Sequence, residues 1–297
     1  MITLLVNPAA GNGRSKKVVI SVSNWLKEHN LPFCVRVTSA PGDAKEIARE
    51  ISSAYNAEEQ DLLISIGGDG TFLEIVQGTV GGEMPVASIP AGTGNDFLKS
   101  LKVPAEPIAA LEHIMNAPVR RIDVGKFNGD LFVNECGAGF DVMVLDYAEK
   151  AKKRVRGLLP YLWGVLCTIF KYHSAPMVIE ADGEEIFNED CLVVSVANGK
   201  FIGGGIPISP EADPADGKLQ LLAMRACSRP RMCSYIPGLL RGKILKFKHT
   251  VVHQQVNTVT LRPADPTKSL RVNVDGEISN VDRCEFSVLP AALPIKM

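Results

Sequence analysis

Two aspartates stand where an anion-binding turn would be expected to exclude them. In "DLLISIGGDGTFLE", residues 61–74, an apolar run ends in Gly67, Gly68 and Gly70, and in "PAGTGNDF", residues 90–97, a second run ends in Gly92 and Gly94. Such turns let bare backbone N–H groups approach a phosphate. Yet Asp69 lies inside the first and Asp96 inside the second. A carboxylate repels phosphate unless something positive stands between them. Mg2+ does this: it takes one or two carboxylates, keeps several waters and bridges to phosphate oxygens. The plainer reading is that each aspartate caps the helix that follows it. Two of them, in glycine turns at one sheet edge, favour the cation.

The elements that must position these turns follow from periodicity. The first ~120 residues alternate buried-strand runs with amphipathic helices, the pattern of a parallel sheet covered by helices. "ITLLVN" predicts a first strand. "GNGRS" is a loop, and "KKVVISVSNWLKEH" a helix with Val18, Val22, Trp25 and Leu26 on one face. "PFCVRVTS" is a second strand, and Asp43 with Glu46 predicts a capping box opening "DAKEIAREISSA". "DLLISI" and "PVASI" are strands three and four. Ligands collect at the carboxyl ends of strands in open α/β sheets, so the loops after strands one, three and four are expected to meet at one crevice. From about Arg121 the pattern changes. "FNGD" is a hairpin signal, and strands rich in Val, Ile and Leu predict a mainly antiparallel domain. Two helical candidates interrupt it, "VLDYAEKAKKRVRGLLPYLWGVLCTIFKY" and "RPRMCSYIPGLLRGKIL".

Composition narrows the function classes. With 32 basic against 33 acidic residues and a net charge of -1, no bulk attraction to nucleic acid is implied. The seven cysteines form no CxxC pair, so reduced thiols and a cytoplasmic setting are expected. The start has no charged segment ahead of its apolar run and reads as a strand rather than a signal peptide. The run 157–170 is too short to span a bilayer. Walker, dinucleotide-binding and protein kinase patterns are all missing. His249 and His253, four apart with β-branched residues between and no third ligand, read as structural.

"LLVNPAAGNG", "VRVTSAPGDA", "IGGDGTFLE", "IPAGTGNDF", "VNVDGE" and "VLPAAL" occur in that order, and together the chain resembles the soluble diacylglycerol kinase family, which includes bacterial lipid kinases and the sphingosine and ceramide kinases. "GGDGT" is shared with NAD kinases; "GTGNDF" with a late "DGE" is more specific. The resemblance implies an α/β nucleotide domain over residues 1–121, to which 286–297 returns, and a β-sandwich-like lipid-substrate domain over 122–285, with ATP in the cleft between them. It implies that Asn7, Gly11, Asn12, Gly13 and Thr38 lie near the nucleotide. Gly67, Gly68, Asp69, Gly70, Thr71, Glu74, Thr93 and Asn95 would line the phosphates. Asp69, Asp96 and Asp123 would form an aspartate, water and magnesium network. Asp213 and Asp216, with the Lys218 carbonyl, would form a metal loop, where the residues alone suggest an ordinary solvated turn. Asp275 would be the base that takes the lipid hydroxyl proton, where the residues alone suggest a hairpin turn. Glu277, two residues along a strand, would share its face and assist. Leu73 replaces an asparagine common in the family.

The activity implied is ATP- and Mg-dependent phosphorylation of a membrane lipid hydroxyl, diacylglycerol first, in phospholipid metabolism. Another lipid alcohol, such as phosphatidylglycerol or a sphingoid base, is the rival substrate; a non-catalytic nucleotide- or lipid-binding regulator is the rival class. Peripheral contact with an anionic membrane surface is expected from two basic, apolar segments. One carries Lys150, Lys152, Lys153, Arg154 and Arg156 beside Tyr161 and Trp163. The other carries Arg229, Arg231, Arg241, Lys243, Lys246 and Lys248 with Tyr235. A homodimer is compatible with the sequence, which does not fix the oligomeric state.

Overall fold

The computed structural model describes residues 1–152 and 159–297, the side chain of Lys152 excepted. The chain divides into two compact units: unit 1 is Met1–Val124 with Pro290–Met297, and unit 2 is Gly125–Leu289.

Unit 1 alternates strand and helix. β1 (Ile2–Val6) leads into α1 (Ala10–Glu28), β2 (Phe33–Val37) into α2 (Asp43–Ser53), and β3 (Leu62–Gly67) into α3 (Asp69–Thr79). β4 (Val86–Pro90) is followed by α4 (Asp96–Ser100) and α5 (Pro107–Asn116). The strands run parallel in the order β2-β1-β3-β4. Every residue of β1, β3 and β4 is buried, as expected of strands with helices on both faces. β2 lies at the edge and leaves Val35 and Val37 exposed. Leu4, Ile64, Ile66 and Ile89 pack with Val18, Val22 and Leu26 of α1 and with Leu111 and Ile114 of α5 in one core. The spacing of the α1 residues is the apolar stripe read from sequence. The chain then leaves through β5 (Val119–Phe127) and re-enters at its end, where Ile295 pairs with Val86 of β4.

Unit 2 holds β6 (Asp130–Phe132), β7 (Glu135–Gly139), the helices α6 (Phe140–Lys152) and α7 (Leu159–Lys171), β8 (Ala175–Ala181), β9 (Glu184–Ala197) and β10 (Leu219–Arg225). α8 (Arg229–Leu240) and a single 3-10 turn (Ile244–Lys246) follow. Then come β11 (Val251–Val256), β12 (Thr258–Pro263), β13 (Leu270–Val274), β14 (Glu277–Val281) and β15 (Cys284–Lys296), whose last residues belong to unit 1. The pairing β14-β13-β7-β9-β8-β12-β15 is antiparallel throughout, with β10 joining β9 to β11. Phe132, Ile179, Val196, Leu221 and Phe286 lie in its core. Asn128 and Gly129, both at positive φ, form the β5–β6 turn that the Asn-Gly step predicts. His253 lies in β11, 3.9 Å from Glu211, a structural placement. All seven cysteines are free. Among the described residues no helix is long and apolar enough to cross a membrane.

Two sequence expectations change within unit 1. Asp43 is the first residue of α2, not its cap, and it accepts the N–H groups of Ser39 and Ala40 in the preceding turn. Glu46 pairs with Arg49 instead of reaching back. The free amides at the head of α2 go to Glu74, on α3. One of its oxygens accepts the Gly42 N–H at 3.0 Å and the other the Ala44 N–H at 3.1 Å. Glu74 thus ties α3 to α2, with its negative charge at the positive end of a helix, and both its oxygens are already engaged without a phosphate. Replacing Glu74 with alanine is expected to cost about 1 kcal/mol, the usual value of a lost cap; urea denaturation measures it, and an unchanged midpoint would contradict the capping role.

Candidate functional site

The carboxyl-edge loops of unit 1 meet because their glycines leave no side chains in the way. Gly11, Asn12 and Gly13 are three successive residues at positive φ, so the chain coils away from helix before α1 continues. A Cβ on Gly11 would lie 2.1 Å from the Ala91 carbonyl oxygen, and one on Gly92 would lie 2.5 Å from the Gly68 Cα. The loops after β1, β3 and β4 are therefore in direct backbone contact, as their sequences predict. The Gly67 carbonyl accepts the N–H groups of both Ala91 and Gly92. Asn95 closes the third loop, its amide donating to the Gly92 carbonyl and its oxygen accepting the Gly92 N–H. Asn7 at the end of β1 donates to the Thr71 hydroxyl at 3.0 Å. Thr38, at the end of β2, is buried with its N–H on the Val6 carbonyl. Asn12, Gly70 and Thr93 are exposed at the same edge.

Both aspartates point into this arrangement. A Cβ on Gly94 would lie 3.2 Å from one oxygen of Asp69 and 3.4 Å from one oxygen of Asp96, so the two carboxylates converge on the same stretch of loop. Asp69 accepts the Phe97 N–H at 3.3 Å, and Lys99 pairs with Asp96 at 2.9 Å. Burial, and after it the negative charge of Asp96, pushes the Asp69 carboxyl above its ordinary range. Two neighbouring carboxylates offer hard oxygen donors of the kind that would hold a divalent cation such as Mg2+. Neither is the N-cap residue of the helix it opens, and the Asp69 side chain instead reaches across to an N–H in the first turn of α4.

The other acidic candidates lie differently. Asp123, buried in β5, accepts the Ala291 N–H at 2.7 Å and so fastens the returning chain end. In the 213–218 loop Asp213 accepts the Ala215 N–H and Asp216 accepts the Lys218 N–H, both ordinary aspartate turns. Asp216 also accepts from Gln255, and the Lys218 amine donates to Asn257. Among the described residues no three His, Cys, Asp or Glu side chains gather as a metal site.

Asp275 occupies the β13–β14 turn with φ +47°, followed by Gly276 at +98°, the left-handed pair that a two-residue hairpin demands. It is no free turn residue. One carboxylate oxygen accepts the Val133 N–H at 2.7 Å, and the other accepts those of Asn134 and Glu135 at 3.0 and 2.8 Å. Three donors on a charged acceptor are strong hydrogen bonds and fix the carboxylate's direction. The turn also breaks strand alternation between Asp275 and Glu277. Glu277 opens β14 opposite Val274 and is exposed, so a shared face does not follow from its spacing.

Beneath Asp275 lies a feature the sequence reading missed. Glu135, on β7, and Asp141, at the head of α6, have their carboxyls buried together. A Cβ on Gly137 would strike Asp141 at 1.9 Å and Glu135 at 2.9 Å. Burial, then the nearby Asp141, hold the Glu135 carboxyl well above its ordinary range; burial raises that of Asp141 to about 7. The Asp141 oxygens make no well-formed hydrogen bond, although the Val142 N–H and the Asn273 amide are near enough to favour its charge. Asp275, Cys136, Tyr172 and Cys191 are the titratable groups around the pair. A carboxyl raised in the fold holds its proton longer than in the unfolded chain. Its contribution to stability is complete below the ordinary carboxyl range and declines as pH rises towards about 7. Asp141→Asn is expected to lose less stability than the wild type between pH 5 and pH 8, read by urea denaturation at each pH; equal losses would contradict a shifted Asp141.

Comparison with known proteins gives this geometry its family. Residues 1–127 match the diacylglycerol kinase catalytic domain, and residues 134–297 match the YegS C-terminal NAD kinase beta sandwich-like domain. The chain is 28% identical to a diacylglycerol kinase of Mycobacterium tuberculosis over 99% of its own length and 94% of that protein's. It is 30% identical to a YegS-like lipid kinase of Pseudomonas aeruginosa over 100% of its length and 94% of the relative's. A crystal structure of a diacylglycerol kinase from Bacillus anthracis shares the fold with a TM-score of 0.76 at 24% identity, covering 99% of this chain and 96% of that one. The chain is an enzyme that belongs to the diacylglycerol kinase and YegS-like lipid kinase family.

Proposed function

We propose that the enzyme transfers the γ-phosphoryl group of ATP to the free hydroxyl of diacylglycerol, giving phosphatidic acid and ADP for phospholipid metabolism. The observation that carries this reading is the Asp275 carboxylate, fixed by three backbone N–H groups at the tip of a hairpin. In this reading Asp275 accepts the proton of the lipid hydroxyl as its oxygen bonds to phosphorus and the bond to ADP breaks. Phosphoryl transfer asks mainly for positioning and charge neutralisation. The open backbone of the loops from Gly11, Gly68 and Gly92 serves the phosphates, and Asp69 and Asp96 are the residues that would hold Mg2+. The cation would supply neutralisation of phosphate charge. A glycerol-based or sphingoid lipid alcohol other than diacylglycerol is the alternative acceptor, which the same experiment distinguishes.

A lipid acceptor also calls for contact with a membrane surface, and unit 2 offers one. α7 exposes Leu159, Trp163, Leu166 and Phe170, which are 62, 56, 49 and 63% exposed at helical spacing. Its other face is buried, with Gly164 pressed against Val144 of α6. α8 packs against α7 and has no buried residue, and Arg229, Arg231, Arg241, Lys243, Lys246 and Lys248 on it and just after it are exposed. Apolar and cationic side chains together suit an anionic lipid interface. Of the first basic segment, Lys153, Arg154 and Arg156, with the Lys152 side chain, lie outside the described residues; Lys150 is exposed on α6.

ADP release from Mg-ATP in anionic mixed micelles tests both parts. Turnover is expected to require the lipid alcohol and to fall by at least ~10²-fold in Asp275→Asn, the lower range for losing an acid–base group. Trp163→Asp is expected to raise the micelle concentration needed for half-maximal rate. Lipid-independent turnover, or full activity in Asp275→Asn, would overturn the reading.

A further inference from the structure

We propose that Asn273 and Glu135 are positioning residues for Asp275, a rigid buried link that sets where its carboxylate stands. This rests on the reading of Asp275 as the base.

The link has two branches that both begin at Glu135. In the first, the Glu135 backbone brackets Asp275 directly: its N–H donates to the Asp275 carboxylate at 2.8 Å, and its carbonyl accepts the Asp275 N–H at 2.9 Å. In the second, the Glu135 side chain accepts the Asn273 amide N–H at 3.3 Å, and the Asn273 oxygen accepts the Gly276 N–H at 2.8 Å. Asn273 thereby holds the residue after Asp275 while Glu135 holds Asp275 itself. Both side chains are buried, at 7% and 2% exposure.

A plain hairpin needs none of this. Asp-Gly already favours the left-handed turn, and the register of β13 on β14 continues through Val274 and Glu277. Burying an acid in a strand is costly unless it is protonated or hydrogen-bonded. Here that acid opens β7 and its N–H is the last of the three consecutive amides that clamp the base, and Asn273 pairs with Gly137 across the β13–β7 ladder. Burial, and after it the nearby Asp141, raise the Glu135 carboxyl well above its ordinary range, which lessens the charge it sets beside Asp275. The device therefore orients the base through two hydrogen-bonded branches. Misplacing a reacting group by about 1 Å commonly costs about 10²-fold in rate, which sets the scale of the effect.

The test uses Asn273→Ala, Glu135→Ala and the isosteric Glu135→Gln, which keeps an oxygen for the Asn273 amide. Two readouts are taken on the full-length protein: kcat and the KM for Mg-ATP in the lipid-dependent assay, and hydrogen exchange of the Val133, Asn134 and Glu135 amides. Asn273→Ala is expected to lower kcat by about 10- to 100-fold, the usual cost of removing a supporting partner, with KM for Mg-ATP unchanged and with faster exchange at the three amides. Glu135→Gln is expected to stay within about threefold of wild type where Glu135→Ala does not, which a generally weakened fold would not reproduce. In Asp275→Asn the further change Asn273→Ala should add nothing to the loss. Unchanged amide exchange in Asn273→Ala, or unchanged kcat in an enzyme that turns over, overturns the proposal. If the wild type shows no lipid-dependent turnover, the kinase reading fails while faster amide exchange still upholds the link. Should Asn273→Ala not fold, Asn273→Ser, which keeps an acceptor for the Gly276 N–H but not the amide for Glu135, is read in its place against the same outcomes.

Discussion

Asp69 and Asp96 converge on one loop at the edge where the strands of unit 1 end, and most of that unit can be understood as holding them there. Two carboxylates in a desolvated place repel each other, and Asp69 is pushed towards its neutral form as a result. The arrangement persists because the backbone around it has little freedom. Gly68 and Gly92 touch, Gly67 accepts two amides from the loop after β4, and Asn95 pins that loop to itself. Glu74 fastens α3 to α2 from behind. Lys99 compensates part of the charge on Asp96. What remains is an oxygen-rich position beside open loop backbone.

Unit 2 meets the same difficulty with a different solution. Three amides are aimed at the Asp275 carboxylate and fix its direction. Glu135 and Asp141 are buried together instead, and burial pushes both carboxyls above their ordinary range. One carboxylate is thus directed by amides, and two are pushed by burial towards their neutral forms. Environment rather than residue type separates the roles.

Much of this was legible in the sequence because it is local. The buried runs of β1, β3 and β4 and the glycines that follow them predict converging loops, and the loops do converge. Asn128-Gly129 and Asp275-Gly276 read as hairpin turns and are so. Long-range hydrogen bonds were not legible. Glu74 sits in a motif that reads as phosphate-lining, but its oxygens are taken by amides about thirty residues earlier in the chain. The capping box expected of Asp43 and Glu46 is displaced by that same carboxylate. Glu277 was aligned with Asp275 by strand alternation, which two left-handed residues interrupt. Glu135 and Asp141 carried a signal that went unread, since an acid inside the otherwise buried run "FVNECGAGF" needs a reason to be there.

The most direct test of the convergence of Asp69 and Asp96 is calorimetric titration of the protein with ATP, once with Mg2+ and once with EDTA. Because two carboxylates face the backbone that would hold the phosphates, ATP should bind with Mg2+ and bind at least tenfold more weakly without it, a difference of about 1.4 kcal/mol. Equal affinity in EDTA would mean that the two aspartates hold no cation for the nucleotide, and the place given to them at the head of unit 1 would have to be abandoned.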